Sequence, residues 1–89
     1  MQMIICLSQL EDEIWARRTL VLDGATYKGK IEFLGANVDD TADKIYEIMY
    51  KRNIPNCCYV LEDDAVNRVD EKAFKKINLR IEYKSRRGD

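Results

Sequence analysis

Two acidic groups in this 89-residue chain have the residue types and spacing of metal chemistry. Asp39-Asp40-x-x-Asp43 spells the motif that holds metal-bound diphosphate in prenyl-transfer enzymes. Those motifs line large helical cavities, which so short a chain cannot enclose. Acids at a helix start also need no metal, because they offset the positive end of the helix dipole. The second group is Glu62, Asp63 and Asp64, set against Glu82-x-Lys84. It has the spelling of a metal-dependent nuclease, in which strand acids hold the metal and a lysine activates water. Glu82 and Lys84 would share one face of a strand, yet any exposed strand shows the same alternation of charge.

Composition narrows the chemistry further. The chain has no histidine, which removes the commonest general base near neutral pH and any Cys-His nucleophile pair. Cys6, Cys57 and Cys58 are odd in number and lack the spacing of a disulfide framework. They read as reduced thiols packed as small apolar residues, as in cytosolic proteins. Gly24, Gly29 and Gly35 match no phosphate-binding spacing. No catalytic residue, metal or cofactor is therefore expected, and the chain reads as a non-enzyme.

Residues suited to binding are more numerous. Residues 1–67 carry seven Lys/Arg against twelve Asp/Glu, whereas residues 68–89 carry eight against four. The net charge of −1 thus conceals a basic C-terminal end: Arg68, Lys72, Lys75, Lys76, Arg80, Lys84, Arg86 and Arg87. Such a patch can contact phosphates or an acidic protein surface, although Glu71 and Glu82 interrupt it. Trp15 with Arg17, Lys28 and Lys30, and Tyr46 with Tyr50, are the aromatic and cationic types common at protein interfaces. Arg87-Gly88-Asp89 spells an integrin-binding tripeptide, which at a chain end is better explained by chance.

These residues must be placed by local structure. Asp23-Gly24 suits the two-residue turn of a hairpin, whose central positions need positive φ. Counting outward from that turn pairs Leu20 with Tyr27, Ala16 with Ile31 and Ile14 with Phe33, a nearly apolar set. The alternate set, with Trp15, Arg17, Thr19, Lys28 and Lys30, is mostly polar and solvent-facing. Gly29, opposite Arg18, suits a strand glycine at a bulge. Met1–Leu7 suits a buried strand, and Ser8-Gln9-Leu10-Glu11 a capping box opening a helical turn to about Glu13.

Further along, Asp39 or Asp40 caps a main helix over Thr41–Arg52, with Ala42, Ile45, Ile48 and Met49 as its buried stripe. Asn53 in the left-handed region, Ile54 and Pro55 end it. Cys57–Glu62 reads as a strand. An Asp70 cap, flanked by Val69 and Phe74, opens a short helix over Glu71–Lys76. Alternation of Ile77, Leu79, Ile81 and Tyr83 with polar residues reads as a final strand.

The expected architecture is α+β: a mostly antiparallel sheet of four to five strands with one main helix packed on one face. It forms a single domain over residues 1–84, with a frayed basic tail over 85–89. No run reaches the roughly 20 apolar residues of a membrane span, and Met1–Leu7 is too short for a signal peptide core. The expected location is cytoplasmic. The expected function is a small interaction module that binds and modulates a larger protein or ribonucleoprotein, in the style of a phage accessory inhibitor. Nucleic-acid binding through the basic segment and a small metal-dependent nuclease are the alternatives, and a homodimer is open.

Overall fold

The computed structural model describes residues 1–51, 54 and 56–87. Four strands form one sheet in the order β3-β2-β1-β4: β1 (Gln2–Leu10), β2 (Glu13–Leu22), β3 (Ala25–Gly35) and β4 (Cys58–Asp63). The first three make an antiparallel meander, while β4 returns parallel to β1 after a helical crossover. The sheet is therefore mixed, not mostly antiparallel. A parallel return requires a crossover element, and α1 (Val38–Tyr46) supplies it.

The Asp23-Gly24 turn forms as its chemistry requires, with φ of 49° and 80°. Leu22↔Ala25 through Thr19↔Lys28 pair as counted from the turn. Arg18 then stands opposite both Gly29 and Lys30, and pairing resumes one residue later at Arg17↔Ile31. This is the bulge that Gly29 hinted at: a Cβ there would lie 3.0 Å from the Arg18 carbonyl oxygen. Because side chains alternate with period two, the extra residue moves Ile31 and Phe33 to the opposite face. Contrary to the expectation that this apolar set floors the core, Ile31 is 48% and Phe33 42% exposed.

No helical turn forms over residues 9–13. β1 runs on to Leu10, and Glu11 with φ of 58° turns tightly into β2, Leu10 pairing with Glu13. Helix α1 starts earlier than expected. Asn37 is its cap, its side-chain oxygen accepting from the Asp40 amide at 2.8 Å, and Asp39 and Asp40 occupy the first turn. The helix continues into a wider π-helical segment over Glu47–Lys51. Ala42, Ile45 and Ile48 are buried as expected, and Met49 is half-buried. The ending assigned to Asn53 and Pro55, and the Arg52 limit of the helix, lie outside the described residues.

The last element differs most. Glu71–Arg87 is one helix, α2, and not a short helix followed by a strand. Asp70 caps it as expected, its carboxylate accepting from the Ala73 amide at 3.2 Å. Ile77 and Ile81, one helical turn apart, are buried, whereas Leu79 and Tyr83 are exposed. Residues 85–87 of the expected tail continue this helix.

Both helices pack on the same face of the sheet. Met3, Ile5 and Leu7 of β1 and Ile14 and Ala16 of β2 meet Ala42, Ile45, Ile48, Ile77 and Ile81 in one core. The molecule is only 17 Å deep in its thinnest direction, the depth of two layers. Among the described residues, no helix covers the other face of the sheet. None of the described helices is long and apolar enough to cross a membrane.

Candidate functional site

The basic residues of the C-terminal segment sit mostly along α2, and most are already engaged. Arg80 Nε lies 3.1 Å and Lys84 Nζ 2.9 Å from one oxygen of Asp43 on α1. Hydrogen bonds from Lys84 first, then Arg80, hold the Asp43 carboxyl below the ordinary carboxylate range. Lys84 also caps the Tyr46 ring at 5.1 Å, and Tyr46 stacks on Tyr50 at 4.8 Å. Tyr46 is buried, so only Tyr50 of that pair is presented to solvent. Arg68 pairs with Asp63, Lys75 with Glu71 and Arg86 with Glu82, and Arg87 donates to the Tyr83 hydroxyl. Among the described residues, Lys72 and Lys76 stand outside these ion pairs. Arg80 and Lys84 thus join the two helices, whereas Arg68, Lys75 and Arg86 stay largely exposed in surface pairs that water screens.

The nuclease constellation does not assemble. Glu82 and Lys84 are on α2, where Lys84 turns to Asp43 and Glu82 to Arg86. Asp63 and Asp64 instead order the loop before α2: Asp63 accepts from the Val69 amide at 2.8 Å and Asp64 from the Asn67 amide at 2.9 Å. Glu82 lies eleven residues beyond the helix start, roughly 16 Å along its axis from that loop. Asp39 and Asp43 lie one turn apart on α1, and α2 engages both: Arg80 reaches Asp39 at 3.8 Å as well as Asp43, while Asp40 turns to Asn37. Among the described residues no three acids, cysteines or histidines gather as a metal site.

What the fold does bring together is the open face of the sheet. Cross-strand neighbours there form four rungs: Thr26–Val21–Gln2–Cys58, Lys28–Thr19–Ile4–Val60, Ile31–Arg17–Cys6–Glu62 and Phe33–Trp15–Ser8. Trp15 and Phe33 close one end, their rings edge to face at 5.4 Å. Lys44 of α1 lies over the Phe33 ring, 5.4 Å from its centre, so Phe33 stands at the β3 edge of the sheet between the two faces. A shallow groove of about 450 Å³ crosses the middle, lined by Ile4, Cys6, Arg17, Lys28, Ile31 and Glu62 among others. Burial first, then the nearby Asp64 and Glu62 carboxylates, push the Cys6 thiol up, so Cys6 stays a neutral, apolar-like member of the face.

Of the residues expected at a binding surface, Trp15, Arg17 and Lys28 are on this face, and Tyr46 and Tyr50 are not. Lys30 follows the bulge to the helix side of the sheet, lining a groove with Met3, Leu20 and Tyr27. The half of the face made by Ile4, Cys6, Val60 and Glu62 was not among the expected residues. Its signal is in β1, where both alternating sets, Met3-Ile5-Leu7 and Ile4-Cys6, are apolar. A strand apolar on both sides has a second surface to bury.

No protein-family model matches this chain, and neither a curated protein nor a solved structure matches it.

Proposed function

We propose that this chain is a non-enzymatic protein-interaction module, and that it works through the open face of its sheet. One observation carries the reading: two helices cover one side of a four-stranded sheet and leave the other bare, with Ile31 and Phe33 exposed among Ile4, Val60 and Trp15. Exposed apolar side chains scattered singly are ordinary; a contiguous set on a flat sheet, edged by charge, marks a binding surface. Trp15, Arg17 and Phe33 are the residue types that contribute most at such surfaces. The partner stands where a third layer of the fold would be, and modulation of that partner follows from occupying its surface.

A photo-cross-linking side chain placed at position 33, and separately at position 79, tests this. Leu79 is 64% exposed on the outer side of α2, so it reports the competing apolar surface. In the cells that make the protein, illumination yields discrete protein adducts from position 33 and few from position 79. Adducts from 79 alone, or equal labelling from both, would overturn the assignment of the face.

A further inference from the structure

Charges on the two faces of this sheet are treated differently. On the helix side, Arg18 Nε meets Glu32 at 2.7 Å, and Arg80 and Lys84 share Asp43. On the open face, Arg17, Lys28 and Glu62 are exposed, and among the described residues none of the three has an ion-pair partner. Their arrangement is also polar. The cations lie on β2 and β3, the carboxylates of Glu62 and Asp64 on and just after β4, and the apolar Ile4 and Cys6 lie between on β1.

That order is self-complementary. A two-fold axis lying in the plane of contact, parallel to the strands and between β1 and β2, lays β3 over the β4 of another copy and β2 over its β1. That rotation keeps each rung level with itself, so Ile31 of each chain lies over Glu62 of the other and Arg17 over its Cys6. Arg17, one strand away, and Lys28, one rung away, flank that Glu62 with longer side chains, while Thr19 meets Ile4 at the centre. A contact of this kind needs the same patch on both partners, each half matching the other half. Sheets stacked face to face pack about 10 Å apart, within reach of long charged side chains. Four strands about 4.8 Å apart and four rungs about 7 Å apart span a footprint of roughly 500 Å² in projection, and side-chain relief brings it toward standard interface size.

We infer that the partner docked on the open face is a second copy of this chain, forming a two-fold β-sandwich dimer. The inference rests on the reading of that face as the binding surface and names its occupant. In the dimer the four helices lie outside, and each open sheet becomes the third layer for the other.

Charge reversal tests it with the full chain in solution. Arg17→Glu/Lys28→Glu makes the face wholly acidic and Glu62→Lys makes it more basic. Each variant keeps wild-type circular dichroism, since these side chains hold nothing within the fold. Sedimentation velocity is expected to show wild type as a dimer and each variant alone as a monomer, with self-association weakened at least tenfold. Mixed one to one, the variants re-form a dimer, because the acids placed at 17 and 28 meet the lysine placed at 62, and the other half of the contact keeps Arg17 and Lys28 beside Glu62. Wild type that stays monomeric at every concentration would overturn the second copy as occupant while leaving the face free for another protein, as cross-linking from position 33 would show. A dimer indifferent to both substitutions would overturn the inference and the assignment of the face together.

Discussion

Asp43 stands between two cations of the neighbouring helix, and its carboxyl joins α1 to α2. Because its folded-state pKa lies below the ordinary value, the ionised form stabilises the fold above the ordinary carboxylate pKa. That contribution is lost as pH falls through the lowered folded value. The side chain is about two-fifths exposed, so water screens the pair and the contribution is modest. Asp43→Asn is expected to cost about 1 kcal/mol at neutral pH and to flatten the acid limb of the stability curve. Urea unfolding of both proteins from neutral pH down through the carboxylate range checks this. Curves that stay parallel at every pH would show that Asp43 is not held by Arg80 and Lys84.

Among the elements, α2 shows where local pattern misleads. Ile77, Leu79, Ile81 and Tyr83 satisfy a strand's alternation, while Ile77 and Ile81 alone satisfy a helix's i, i+4 spacing. Tertiary packing decides between them, since the four-stranded sheet leaves a helix-sized space beside α1 and the Arg80–Lys84 pair reaches Asp43 only from a helix. The two patterns give opposite answers to one substitution. Ile77→Asp buries a charge and is expected to cost more than about 3 kcal/mol, whereas Leu79→Asp stays within about 0.5 kcal/mol. Equal losses in thermal or urea unfolding would favour a strand there.

The Asp23-Gly24 turn, the Asp70 cap, β4 and the stripe of α1 were legible because each rests on local chemistry: a positive φ, a side-chain acceptor, the strand-favouring Tyr59-Val60 pair, a period of 3.6. The register of β3 beyond Gly29 was not. A bulge adds one residue without altering composition, and only contact with Arg18 fixes where it falls. The error passed straight to the site, since it assigned Ile31 and Phe33 to the core and Lys30 to the open face. Trp15, Arg17 and Lys28 were placed on the correct side because the turn and the bulge leave their alternation intact.

For the molecule as a whole, these placements divide its surface into two regions. The helix side neutralises most of its own charge within the chain, from Arg18 with Glu32 to Arg86 with Glu82. On the open sheet, Arg17, Lys28 and Glu62 have no ion-pair partner among the described residues and surround an apolar centre. A thin core of this size is a common reason for small chains to complete themselves by association, and a bare sheet is the natural place for it. The proposed dimer rests on this division: the face that lacks a covering layer is also the face whose cation-bearing strands lie beside Glu62 of a rotated copy.

Trp15 is the only tryptophan in the chain and lies at the end of the open face, so its fluorescence reports that face directly. Emission recorded from dilute to concentrated protein should move to shorter wavelength as the second copy excludes water from the indole. Ile31→Asp, which places a carboxylate over Glu62 of the other copy without touching the core, should hold the dilute spectrum at every concentration. A wild-type spectrum unchanged by concentration, or a shift that Ile31→Asp reproduces, would contradict the account.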